Sequence, residues 1–154
     1  MRAVCLDLGS VRIGVAISNS EGTVAVPYEV IIRSKDRQGD HRKISLLAEE
    51  VEAECVVVGL PYSLDGSIGT AAKKALAEIK LLRKLLDVPV ETYDERFSTV
   101  TADQYLKEMN LGAVERRKMV DSVAASIILQ AWLDHRQLQV PIQVTQTEYK
   151  DPNE

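Results

Sequence analysis

The sequence predicts an α/β domain with a mixed five-stranded sheet and helices on both faces. Three observations carry this. Three short apolar runs succeed one another near the N-terminus with turn residues between them. A later run, "CVVVGLP", is apolar almost throughout, as in a parallel strand covered on both faces. Segments with helical apolar spacing alternate with the later strands.

The elements follow in order. "AVCLDL", "IGVAIS" and "YEVIIRS" are rich in Val and Ile, and Gly9 and "NSEG" supply the turns of an antiparallel meander. "KDRQGDHRK" reads as a polar, flexible stretch leading into a helix over "ISLLAEEVEAE". After "CVVVGLP", the segment "TAAKKALAEIKLLRKLL" predicts a helix with Ala77, Leu81 and Leu85 on its packing stripe. "VPVETYDERFS" is a strand ending in charge, "STVTADQYLKEM" a helix capped by Ser98 or Thr99, and the last helix spans about Glu115 to Arg136.

A chain of 154 residues suits one domain, here 1–138, followed by a polar, flexible tail over 139–154. Hydrophobic residues make up 45% and charged residues 27%, so the composition requires no disorder. Cys5 and Cys55 sit inside apolar runs without a CxxC or a nearby His, which predicts buried, reduced thiols. No run approaches the roughly 18 apolar residues of a membrane span, and the expected location is cytoplasmic, with no membrane partner. The net charge of −4 says little about where charges sit, and two divalent cations would cancel it.

Three carboxylates occupy positions that should face inward. Asp7 ends the first strand, Glu95 follows Asp94 at the end of the last, and Asp121 shares a helix face with Ala124, Ala125, Ile128 and Trp132. In open sheets, sites form beyond the carboxyl ends of parallel strands, where Asp7 and "DER" fall. Three converging carboxylates require a cation between them, and all-oxygen ligands select Mg²⁺ or Mn²⁺. Such sites serve phosphoryl chemistry. Each residue also has a bland alternative: Asp7 satisfying the Gly9 turn, Asp121 pairing with Arg117, Glu95 pairing with Arg96 or Arg12. That all three fall on one rim favours the metal. Asp94 reads as structural.

The segments "LDLGSVRIGVAIS", "VVVGLPYSLDGSIG", "YDERFSTVTA" and "VDSVAASIILQAWLD" together resemble the YqgF family of Holliday-junction-resolvase-like proteins. The resemblance runs to Asp134. It implies a ribonuclease H-like fold and a metal-dependent nuclease that matures the 5′ end of 16S ribosomal RNA precursor or resolves branched DNA. It also implies Asp7, Glu95 and Asp121 as the acidic triad holding two Mg²⁺ or Mn²⁺ ions. The strand "CVVVGLP" carries no acid, so Glu95 reaches across from the next strand, with Asp65 in reserve.

Arg12, Arg96 and the run Arg116, Arg117 and Lys118 are placed to meet phosphates at the rim. Lys73, Lys74, Arg83 and Lys84 read as a solvated helix face. Tyr62, Tyr93 and Phe97 are the aromatic residues near enough to stack bases. "GLPYSLDGSIG" lacks both the P-loop Lys-Ser/Thr pair and GxGxxG spacing, and serves as a rim. The expected partner is structured RNA, within ribosomal precursor particles, or branched DNA. A resolvase cutting symmetric strands acts as a homodimer. The rival from another class is a noncatalytic RNA-binding assembly factor. An actin-like ATPase needs two such domains, more than this length supplies.

Overall fold

The computed structural model describes residues 1–63, 65–97 and 113–148, the side chains of 97, 113–118 and 139–148 excepted. Strands β1 (Ala3–Leu8), β2 (Arg12–Ser18), β3 (Ala25–Ile32), β4 (Cys55–Leu60) and β5 (Val90–Asp94) form one sheet in the order β3-β2-β1-β4-β5. The meander β1-β2-β3 is antiparallel, and β4 and β5 run parallel to β1. This is the mixed sheet the sequence predicts. Three helices cover it: α1 (Arg37–Glu50), α2 (Thr70–Leu85) and α3 (Ala113–Glu148).

Strand alternation assigns the two faces. Val4, Leu6, Ile13, Val15, Val56 and Val58 pack with Ile44 and Leu47 of α1 and Ile79 and Leu82 of α2. The intervening Ala3, Cys5, Ala16, Cys55 and Val57 meet Ala125, Ile128, Leu129 and Trp132 of α3. Each buried Val, Leu or Ile contributes about 1.5–3 kcal/mol, so this double-sided core is the main stabilising term. Both cysteines are free and buried on the α3 face. Burial pushes the Cys55 thiol up to about 11 and the Cys5 thiol well above its ordinary value.

Two expectations are corrected. "KDRQGDHRK" is not a flexible stretch, because α1 already begins at Arg37. Asp40 and His41 are buried: Asp40 accepts hydrogen bonds from Ser34 N at 3.0 Å and Ser34 Oγ at 2.8 Å, and His41 Nε2 lies 2.7 Å from Glu78 Oε2. Secondly, the packing stripe of α2 is Ala72, Ala75, Ile79 and Leu82, with Glu78 among them, whereas Ala77, Leu81 and Leu85 are exposed. Glu78 is tolerated inside because Arg33 Nη1 and Nη2 donate to it at 2.8 and 2.7 Å and His41 satisfies it from α1.

Helix α3 continues past the expected end near Arg136 to Glu148, since no glycine follows Gly112 to stop it. The helix expected over 98–109 lies outside the described residues. Among the described residues, no helix is long and apolar enough to cross a membrane.

Candidate active site

The site grows from one row across the sheet. Asp7 faces α3, as do Ala3 and Cys5 on alternate positions of β1. Opposite it in β2 stands Gly14, and β4 places Gly59 one step beyond the Leu6↔Val58 pair, on Asp7's other side. Neither neighbour has a side chain, and each gap receives an acidic residue from another element. A Cβ on Gly14 would lie 1.9 Å from the Asp121 backbone oxygen and 3.1 Å from the Asp121 Cβ. A Cβ on Gly59 would lie 2.9 Å from Glu95 Oε1 and 2.9 Å from Ile128 Cδ1. Helix α3 therefore sits directly on β2 at Asp121, and Glu95, in the 3₁₀ turn Glu95–Phe97 after β5, folds back over β4.

Electrostatics register the convergence. Asp7 is raised to about 6, first by burial and then by the Asp121 charge. Glu95 is raised to about 7, by burial and then by Asp7 and Asp94. Asp121 accepts a 2.9 Å hydrogen bond from Arg12 Nε, its ion-pair partner among the described residues. Among the described residues, no three His, Cys, Asp or Glu side chains are gathered closely enough to enclose an ion. Asp7 feels the Asp121 charge and Glu95 feels the Asp7 charge, without the three acids closing into a cage.

The hairpin joining Asp7 to Arg12 is held from behind. Gly9 N donates to Asp7 O at 3.0 Å, and a Cβ on Gly9 would lie 2.5 Å from Arg12 O, which makes glycine the residue this turn admits. Arg33 donates from its backbone N to Val11 O at 2.9 Å and from Nε to Gly9 O at 2.7 Å.

The remaining candidates separate. Asp94 takes a fork of hydrogen bonds from Arg96 Nε and Nη2, and these hold its carboxyl below the usual range. Arg96 also lies 5.5 Å over the Tyr62 ring, so it is anchored on the rim. Asp65 is exposed, with Ser67 N donating to it at 2.9 Å, while Glu95 is the acid that reaches β4. Tyr93 is no open stacking platform: it is buried, with its hydroxyl 2.7 Å from His135 Nδ1. Arg116, Arg117 and Lys118 lie on α3 just before Asp121, but their side chains, like that of Phe97, lie outside the described residues. Sequence reasoning missed Gly14 and Gly59 as site-forming residues. Their signal was a glycine inside an apolar strand, which marks close approach by another chain segment.

Sheet order, helix placement and acidic rim define a ribonuclease H-like protein. RuvC of Thermus thermophilus, solved in complex with a Holliday junction substrate, shares the fold at a TM-score of 0.55 and 15% identity, over 89% of this chain and 96% of that one. More specifically, residues 1–135 match the family model described as "RuvX: Holliday junction resolvase". A Rhodococcus opacus protein is 47% identical over 88% of this chain and 78% of its own length. Proteins of Fusobacterium nucleatum (47%, 86% of this chain and 96% of that one) and Halothermothrix orenii (45%, 88% and 96%) are similarly close. All three carry the name "Putative pre-16S rRNA nuclease". The chain belongs to the RuvX (YqgF) family.

Proposed function

We propose that this protein is a metal-dependent endonuclease that hydrolyses phosphodiester bonds in structured RNA, in the 5′-end maturation of pre-16S ribosomal RNA. The observation that carries the reading is the Gly14, Asp7, Gly59 row, which brings Asp121 and Glu95 to either side of Asp7 where burial and like charge raise two of the acids. Hard oxygen donors with surplus negative charge fit a divalent cation, Mg²⁺ or Mn²⁺, and the names of the relatives support an RNA substrate. The work is cytoplasmic, on ribosomal precursor particles.

Asp7, Glu95 and Asp121 would hold the metal, two Mg²⁺ or Mn²⁺ ions. Bound there, the metal supplies activation of a water and stabilisation of the departing oxygen. The chain's own residues do the rest. Arg12, half exposed beside Asp121, meets the phosphate next to the scissile bond, and Arg116, Arg117 and Lys118 extend that contact along α3. Arg96 contributes from the opposite side, aimed by Asp94. The Arg33-held hairpin fixes the spacing of Asp7 and Arg12.

The test is cleavage of a labelled 16S precursor carrying its 5′ extension and of a four-way DNA junction, with Mg²⁺ or Mn²⁺, beside Asp7→Asn, Glu95→Gln and Asp121→Asn. RNA cleavage by the wild type alone establishes the reading. Junction cutting by a homodimer moves it to resolution of branched DNA. RNA binding without cleavage by a folded wild type makes the protein a noncatalytic assembly factor.

A further inference from the structure

We infer that the exposed face of α2 binds the sugar-phosphate backbone of the nucleic acid strand flanking the scissile bond, an inference that rests on the nuclease reading. Helix α2 carries five basic residues, Lys73, Lys74, Lys80, Arg83 and Lys84, and a single carboxylate, Glu78. On an ordinary solvated helix, carboxylates three or four residues away would pair with these lysines. Here the one carboxylate is withdrawn: Glu78 is 3% exposed and bonded to Arg33 and His41. Arg83 is also engaged, donating from Nε and Nη2 to Val90 O at 3.2 and 3.0 Å. Four lysines remain, all exposed, and none makes an ion pair among the described residues.

Their arrangement selects a repeating anion. At about 100° per residue, Lys73, Lys80 and Lys84 fall within roughly 40° of one another, a row about 16 Å long, with Lys74 beside its first member. The four lysines place a charge of +4 on one helix face of a chain whose net charge is −4. A row of point charges on flexible stems suits successive phosphates, which need no fixed geometry.

Its position ties it to the site. Helix α2 follows β4 through the loop 61–69, and Gly59, the floor under Glu95, is the penultimate residue of β4. Arg96, beside Glu95, approaches the same loop: its Nη1 lies 3.5 Å from Ser63 O. A strand held at Asp7 and Glu95 that crosses this loop meets Lys73 and Lys74 first, then Lys80 and Lys84.

The experiment measures binding of a labelled single-stranded RNA and a four-way DNA junction in EDTA across a salt series. It compares the full-length wild type, a variant with Lys73→Ala, Lys74→Ala, Lys80→Ala and Lys84→Ala together, and the matching four Lys→Arg changes; poly-glutamate is the competing probe. The expected result for single-stranded RNA is a salt slope reduced by about 2–3 and affinity reduced at least tenfold in the alanine variant, both restored by arginine. Wild-type slope and affinity in the alanine variant overturn the inference, and if that variant still cleaves with metal, the nuclease reading stands without it. Binding of poly-glutamate in preference to nucleic acid assigns the face to an acidic protein and overturns it also. A wild type that binds no nucleic acid defeats both readings.

Discussion

Replacing Asp7 by Asn should make the protein more stable, and the gain should depend on pH in a calculable way. Asp7 is raised from its ordinary 3.8 to about 6 because burial and the Asp121 charge disfavour its ionised form. The folded state therefore holds the proton more tightly than the unfolded chain. Its contribution falls as pH rises from about 4 to about 6 and is constant above. A shift of roughly two units corresponds to about 3 kcal/mol. Asparagine removes the charge at nearly constant shape but still buries an amide, so the recoverable part is about 1–3 kcal/mol. For a domain of this length that raises Tm by about 3–9 °C.

The assay is thermal unfolding of wild type and Asp7→Asn in EDTA at pH 4, 6 and 8. The difference should be smallest at pH 4, where folded Asp7 is protonated and the unfolded carboxyl is only about half ionised, and should reach the full amount at pH 8. Glu95, raised to about 7 by burial and then by the Asp7 and Asp94 charges, adds a drift of the same sign, discounted because it is more open to water and smaller in the variant, which lacks the Asp7 charge. A variant that melts at or below the wild type at pH 8, or a difference that ignores pH, would refute the claim that Asp7 is a carboxylate held against its own stability for the sake of a site. Adding Mg²⁺ should then stabilise the wild type and leave the variant's melting point unmoved.

Other outcomes follow from the same geometry. Glu78→Gln leaves the Arg33 charge without its carboxylate, which should cost about 3–5 kcal/mol in urea unfolding; a loss under about 1 kcal/mol would mean that the buried ion pair is expendable. Burial pushes Glu78 upward, but hydrogen bonds from Arg33 and His41 outweigh it and hold the group below its ordinary value. Its stabilisation is therefore present at neutral pH and lost on acidification through that lowered value. Gly14→Ala places a methyl 1.9 Å from the Asp121 carbonyl oxygen, so α3 must lift; a loss above about 3 kcal/mol and of metal-dependent cleavage is expected, and normal activity would show that contact to be unimportant. Arg12→Gln removes a half-exposed pair, should shift stability by less than about 1 kcal/mol, and should raise KM for RNA well before it lowers kcat.

Much of this molecule is legible in its sequence, and the failures share a cause. The strands are readable because alternation and β-branched residues act locally: "AVCLDL" and "CVVVGL" could be placed from their own composition. The start of α1 was not readable, because Asp40 and His41 look like solvent residues until Ser34 and Glu78 are brought to them by the fold. The stripe of α2 was misassigned for the same reason. Ala77, Leu81 and Leu85 form an apolar row without a charge, whereas the buried row contains Glu78, whose partner Arg33 stands 45 residues away. Asp7 and Glu78 present the same local anomaly, a carboxylate at a core-facing position. What separates them is the sign of what the fold brings close. Glu78 meets Arg33 and His41 and is held ionised, a structural solution complete within the chain. Asp7 is pushed toward neutrality by burial and then by the charge of Asp121, an arrangement that a cation would relieve. A buried acid among cations is part of the scaffold, and a buried acid among acids marks the candidate site.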